Sequence, residues 1–328
     1  MKRREFLVVL GGAAAASPVA ALAQQAALPV VGYLSSRSLG DSGHIIAAFH
    51  KGLSEGGFNA GQNIRVESRF AEGKIDRLPA LAADLVRYPV NVLAATGGTS
   101  SVLAAKPVVP ANLPLLFAMG GDPVKLGIVP SLARPGGNLT GIAFLVNGLA
   151  AKHTQLLREL APKVGTIGFL ANPKDPNFET DSKETQEASN LLGLKLVVVK
   201  ASAEQDLDDA FAVLKREGAE ALFVQVGPVT TDLRTTIASR AAASKLPAIY
   251  GLREFVDAGG LMSYGTSITD ANRQLGVYTG QVLKGIKPAD LPVLQSTAFE
   301  LVINLKVAKL IGLEVPTSIL LRADEVIE

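Results

Sequence analysis

Apolar residues recur along this chain in two alternating textures. Short runs rich in Val, Leu, Ile and Ala, bounded by Gly, Pro or polar residues, read as strands buried on both faces of a parallel sheet. They fall at 30–34, 64–70, 90–95, 114–118 and 139–145. Between them apolar residues are spaced three and four apart, as on one face of a helix. Ile46, Phe49 and Leu53 form one such stripe; Ile75, Leu78, Ala82 and Leu85 form another, with Pro79 tolerated in a first helical turn. The alternation resumes after a helix through Leu156, Leu157 and Leu160, with strands at 166–171, 195–200, 221–226 and 247–252. Its helical stripes are Leu207, Phe211, Leu214 and Leu233, Ile237, Ala241. Two βαβ series predict an α/β protein with two parallel sheets, each covered by helices on both faces.

The tail breaks this alternation. Strand-like runs at 259–265 and 299–303 enclose a helix through Leu275, Val282 and Ile286 and a Pro-containing link at 287–292; a short helix to Leu310 follows. Such a tail suits a chain that crosses back between lobes and builds a multi-strand hinge. The expected division is 28–145 plus about 266–290 for the first lobe and 146–265 plus about 291–328 for the second, with the boundary near 145–149.

The stretch from Val90 to Lys106 carries the clearest site signal. A buried strand ends at Gly97-Gly98, and Thr99, Ser100 and Ser101 offer N-cap hydroxyls to a new helix. Amides at that helix start could hold an anion, although every α/β unit needs such a corner. Other polar residues also stand at the carboxyl ends of strands, where open α/β sheets bind ligands. They are Ser35, Ser36, Thr96, Asp122, Asn172 and Gln225. Each of them can equally serve as turn or cap chemistry. Asp122, within Gly120-Gly121-Asp122-Pro123, could cap the next helix or pair with a ligand cation. Tyr33, Phe144, Phe178 and Tyr264 could wall an apolar pocket or simply pack, and Arg253 and Glu254 could pair with each other. The set holds hydroxyls, amides and one carboxylate but no base and nucleophile pair, so it suggests recognition, with no catalytic residue assigned. No G-x-G-x-x-G after a strand, no G-x-x-x-x-G-K-[ST] and no G-x-S-x-G is present.

Composition narrows the chemistry further. Hydrophobic residues make up 48% and charged residues 19% of 328, which places the chain among globular proteins. There is no cysteine, and the three histidines, His44, His50 and His153, form no metal-ligand spacing, so neither a metal nor another cofactor is expected. The first residues read as an export leader: a basic start at Lys2-Arg3-Arg4, an apolar middle from Phe6 to Ala16, and Ala21-Leu22-Ala23 as an A-x-A cleavage site. Arg3-Arg4-Glu5-Phe6-Leu7 resembles a twin-arginine signal, with a Sec signal containing two arginines as the alternative. No cysteine follows the cleavage site to carry a lipid, so a soluble periplasmic protein is expected. Taking the three basic and one acidic residues of 2–5 from 32 and 30 leaves 29 of each, a balance with no footprint for nucleic acid.

Several strings match a known pattern in combination: GYLSSRS at Gly32, GLSEGGFNAGQNI at Gly52, DRLPALAADLVR at Asp76, GGTSSVLAAK at Gly97, GDPVKLG at Gly121, RPGGNLTG at Arg134, REFVDAGGLMSYG at Arg253 and FELVINLKVAKLIGLEVP at Phe299. They resemble the bacterial ABC-transporter substrate-binding proteins related to tryptophan- and tyrosine-binding proteins, over essentially all of the chain after the leader. The resemblance implies a type I periplasmic-binding fold: two Rossmann-like, doubly wound lobes joined by a three-strand hinge, with a ligand held between them. It implies a non-enzymatic monomer that passes a small molecule, an amino acid and for some relatives an aromatic one, to an ABC permease. The expected ligand-binding set is Ser35, Ser36, Thr96, Thr99, Ser100, Asp122, Asn172, Phe178, Gln225 and Tyr264. A ligand sensor docking on a membrane receptor and a secreted α/β enzyme are the alternatives.

Overall fold

In the computed structural model, which describes residues 28–144, 148–296 and 299–328, the expected alternation is realised twice. The leader and the residues at 145–147 where the lobes were expected to divide lie outside the described residues. The first series runs β1 (Val30–Ser35), α1 (Gly43–Glu55), β2 (Arg65–Phe70), α2 (Leu78–Arg87), β3 (Val92–Thr96), α3 (Thr99–Ala105), β4 (Leu115–Met119) and β5 (Leu139–Ala143). Every residue of β1, β3 and β4 is buried, as strands covered on both faces require. By contrast β2 is nowhere fully buried, because it is the edge strand of its sheet.

The second series runs α4 (Ala150–Leu160), β6 (Thr166–Ala171), α5 (Phe178–Leu191), β7 (Lys195–Lys200), α6 (Leu207–Arg216), β8 (Ala221–Val224), α7 (Pro228–Asp232), α8 (Arg234–Ala243), β9 (Ala248–Tyr250), α9 (Arg253–Asp257) and β10 (Met262–Thr266). The tail then adds α10 (Ile268–Leu283), β11 (Leu294–Gln295), β12 (Phe299–Asn304), α11 (Leu305–Ile311), α12 (Thr317–Leu320) and β13 (Glu325–Ile327). The sheets are ordered β11-β5-β4-β3-β1-β2 and β13-β12-β10-β9-β8-β6-β7. All pairs are parallel except β10 with β12, the return strand of the second sheet.

Three expectations about the tail are corrected. The helix after β10 ends at Leu283, with Gly285 at φ +98°, so Ile286 lies beyond it and is exposed. The short strands β11 and β13 were not foreseen, since two or three residues carry too little periodicity to register. Residues 294–295 pair with β5 in the first sheet, so the second lobe does not take up the chain at about 291.

Although α10 follows a second-lobe strand, it packs on the first lobe beside α1. Close approach between them depends on Gly52 and Gly276. A Cβ at Gly52 would stand 1.8 Å from the Arg273 carbonyl oxygen, and one at Gly276 would stand 2.2 Å from that of Phe49. The helix therefore ties a piece of late sequence to the first core and leaves its N-terminal turn, with Ile268 and Asn272, facing the space between lobes. Among the described residues no helix is long and apolar enough to cross a membrane.

Candidate functional site

The carboxyl ends of strands from both sheets converge on one small, partly open cavity. From the first lobe come the loop after β1 with Arg37, the β3–α3 corner from Thr96 to Thr99, and Phe144 beyond β5; from the second come Asp175 and Asn177 after β6, Gly227 after β8 and Leu252 after β9. This is the position that open α/β sheets reserve for ligands. Its volume is about 40 Å³, well below the ~300–1,000 Å³ of ordinary ligand sites, so the lobes are drawn tightly together.

The β3–α3 corner forms the first-lobe wall as expected, but its neighbours support it instead of lining the cavity. Gly97 has φ +82°, a left-handed conformation suited to glycine, and a Cβ there would lie 2.7 Å from Ser36 Oγ and 2.8 Å from Ser35 Oγ. Ser36 Oγ donates to the Gly97 carbonyl at 2.7 Å, while Ser35 Oγ accepts from the Arg37 amide at 3.2 Å. These two serines brace the corner and aim the Arg37 loop. Ser100 is buried in α3 behind it. Thr96 Oγ1 donates to Asn272 Oδ1 at 2.9 Å, and Asn272 Nδ2 donates to the Ile268 carbonyl at 2.8 Å, which fixes α10 against the corner. Tyr33 lies beneath; burial pushes its hydroxyl pKa up to about 12, against the lowering effects of its Thr96 hydrogen bond and of Arg37.

In the second lobe the expected polar residues are again scaffolding. Gln225 Oε1 accepts from the Asn172 amide at 3.0 Å and its Nε2 donates to Asp181 Oδ2 at 2.8 Å. Asn172 Oδ1 accepts from the Lys174 amide at 3.0 Å and from Ser202 Oγ at 3.2 Å. Together they shape the 172–177 turn. That turn delivers Asp175 and Asn177, neither of which was singled out in the sequence. Asp175 Oδ1 accepts from the backbone amide of Asn177 at 2.9 Å and from its Nδ2 at 3.0 Å. No cation among the described residues forms an ion pair with it, and burial raises its carboxyl pKa against the lowering effect of those hydrogen bonds. Asn177 Nδ2 also donates across the cleft to Thr99 Oγ1 at 3.3 Å.

Three further expectations meet a different geometry. Asp122 Oδ1 accepts from the amides of Val124 and Lys125 at 2.8 and 3.1 Å, which is turn capping, and it does not line the cavity. Of the four aromatics only Phe144 reaches the cavity wall. Phe178 starts α5 within the second-lobe core with Lys200 Nζ 5.4 Å from its ring centre, and Tyr264 stacks on Phe299 at 5.7 Å. Arg253 and Glu254 turn away from each other: Arg253 pairs with Glu325, while Glu254 reaches the other lobe.

Cross-lobe contacts ring the cavity. Arg37 Nη1 and Nη2 donate to Glu254 Oε2 and Oε1 at 3.1 and 2.9 Å, and His44 Nε2 stands 2.6 Å from Glu254 Oε1. Burial pushes the Glu254 carboxyl up, but the His44 hydrogen bond and the charge and hydrogen bonds of Arg37 outweigh it, and its pKa lies below the ordinary value. Arg234 makes a second two-pronged pair with Asp41 at 3.2 and 2.9 Å. Lys125 and Glu184 add a more exposed pair at 3.3 Å, of the kind that contributes at most about 1 kcal/mol. Among the described residues no group of three or more His, Asp or Glu is placed to share a metal ion.

Two doubly wound lobes closing on a cavity at their strand ends define a type I periplasmic binding fold. The similarities to known proteins carry this to a family: the family of ABC transporter substrate binding proteins matches residues 39–327, and the chain belongs to it. It is 23% identical over 256 residues to the tyrosine-binding protein of Clostridioides difficile (strain R20291), covering 78% of this chain and 73% of that one. Among solved structures it is similar to an ABC domain from Streptococcus pneumonia in complex with L-Trp, with TM-score 0.81 and 26% identity over 90% of this chain and 100% of that one. A conserved domain protein from Vibrio cholerae shares the fold with TM-score 0.84 and 23% identity, covering 91% and 99%.

Proposed function

We propose that this protein is the solute-binding component of an ABC importer, exported to the periplasm, that captures an amino acid with an aromatic or large apolar side chain and delivers it to a membrane permease. The observation that carries this reading is Asp175, a carboxylate buried in the cavity wall with hydrogen bonds only from Asn177 and no ion-pair partner among the described residues. Desolvating a carboxylate without a cation is costly, and a ligand ammonium removes that cost. Thr99 Oγ1 accepts from Asn177 and so keeps its own proton to donate to a ligand oxygen. Ile45, Phe144, Val226 and Leu252 supply an apolar end for the side chain. The names of the relatives, a tyrosine-binding protein and an L-Trp complex, support the same chemistry. Asp175 thus takes the role expected of Asp122, and Thr96 and Thr99 remain from the expected set as cavity-lining residues.

A cavity of about 40 Å³ admits such a ligand only when the lobes part, so binding is coupled to opening and closing. Titration of the purified mature chain, freed of carried-over ligand by unfolding and refolding, with aromatic and branched-chain amino acids tests the reading. Ligand at about 100 times its Kd adds roughly 2.7 kcal/mol of stability, well within reach of a melting assay. If none of these amino acids binds or raises the melting temperature, the amino-acid assignment fails.

A further inference from the structure

Arg37 is 5% exposed, and its two terminal nitrogens are both committed to Glu254. Its Nε is buried and has no acceptor among the described residues. A guanidinium presents five N–H donors in a rigid fork, and a buried donor left unmatched is costly, so this nitrogen is where an acceptor is missing. Arg37 lines the inner cavity, whereas Glu254 lines an outer groove of about 700 Å³; Leu252 and Ile268 face both spaces. The ion pair is therefore part of the partition between cavity and groove. Its members come from different lobes and lie 217 residues apart in the chain.

We propose that Arg37 reads the carboxylate of the ligand through its Nε–H, and that Glu254 is a positioning residue that holds the guanidinium toward the cavity only when the lobes close. The two-pronged contact fixes the plane of the fork, which a single hydrogen bond would leave free to rotate. Ser35 contributes from the first lobe by accepting from the Arg37 amide, which sets where the side chain starts. A ligand lacking an acidic group would leave Nε unmatched and be discriminated against, and the discrimination would weaken whenever Glu254 could not orient the fork. This inference rests on the amino-acid reading above.

The test is a ratio. Wild type, Arg37→Lys and Glu254→Gln are titrated calorimetrically with L-tyrosine and L-tryptophan and with tyramine and tryptamine, which lack only the carboxylate. Wild type should favour the amino acid over its amine by roughly ten- to a hundredfold, the range for one charged hydrogen bond. Arg37→Lys should bring that preference to within about threefold. Glu254→Gln should shrink it partly, and small-angle scattering at saturating ligand should show incomplete closure of that variant. A purely structural role for either residue would weaken amino acid and amine by the same factor; an unmoved ratio in both variants, or no preference in wild type, overturns the inference. Should Arg37→Lys fail to fold, the ratio in Glu254→Gln decides alone. If wild type binds neither amino acids nor amines, the amino-acid reading itself fails and this inference with it; if wild type binds and only the ratios stay fixed, that reading survives.

Discussion

Replacing Asp175 by asparagine should stabilise the ligand-free protein and weaken ligand binding, two effects of opposite sign from one atom. The side chain is 8% exposed, its carboxyl pKa is raised by burial, and the hydrogen bonds from Asn177 offset that only in part. An acid whose folded pKa lies above its unfolded value lowers stability. That loss is absent below the unfolded value near 3.8, grows as pH rises toward the folded pKa, and is fully present above it. Each unit of the raised value corresponds to about 1.4 kcal/mol. Asparagine keeps the shape and one oxygen to accept from Asn177 but carries no charge, so the ligand-free variant should melt above wild type at neutral pH by about 2–4 °C for each kcal/mol recovered. The difference should vanish as pH falls toward 3.8. Binding should move the other way. Loss of a charged hydrogen bond to the ligand ammonium costs about 1.5–3 kcal/mol, or roughly one to two orders of magnitude in Kd. Melting curves of both proteins without ligand from pH 3.5 to 7.5, with calorimetric titration at pH 7, measure both arms. A variant that melts below wild type at pH 7 and binds amino acids normally would show that Asp175 merely caps its turn, and the argument from a desolvated carboxylate would be refuted.

Asp122→Ala should lower stability by about 1 kcal/mol through two lost cap hydrogen bonds while leaving ligand affinity within twofold; a tenfold loss on titration would return Asp122 to the site. His153 donates from Nε2 to the Tyr264 carbonyl at 2.6 Å and its buried Nδ1 has no partner among the described residues, so burial holds its pKa down to about 4 despite that hydrogen bond. A depressed histidine pKa means stability is intact above 6.5 and is lost as pH falls to about 4, by roughly 3 kcal/mol in all. His153→Gln should flatten that part of the stability profile, whatever its stability at neutral pH, and an unchanged slope would point to other groups. Gly52→Ala should destabilise the first lobe by about 1–3 kcal/mol or more in denaturant titrations, because the added methyl meets the Arg273 carbonyl at 1.8 Å; wild-type stability would mean that α1 and α10 separate freely. Arg3→Lys with Arg4→Lys should leave precursor in the cytoplasm if the twin arginines are read as a signal, whereas normal export in a fractionation assay would favour the Sec route.

The α/β alternation was legible because a parallel strand covered on both faces must be an uninterrupted apolar run, and the helices between must show a three-and-four stripe. Strands β1, β3, β4 and β6 follow directly from those local rules. The β3–α3 corner was legible as a break at Gly97-Gly98, but its cap was not: Gly98 holds the N-cap position and no hydroxyl of Thr99, Ser100 or Ser101 caps α3, since all three lie inside the helix. What local pattern could not decide was which strand-end residues face the cleft. Asp122 and Asp175 each precede a proline in a turn after a strand, and nothing within ten residues of either separates a cap from a cavity wall. The turn after β6 was shaped by the Gln225 side chain accepting from the Asn172 amide, groups that meet only once β6 and β8 pair. Arg37 and Glu254 are further still from local inference. Each lies within four residues of a strand's end, and only the closure of one lobe on the other brings them within 2.9 Å. Backbone geometry and burial of apolar runs act over a few residues and leave a trace in the sequence. The cavity depends on the relative placement of the two sheets, which the long-range contacts of α10, β10 and the cross-lobe ion pairs decide.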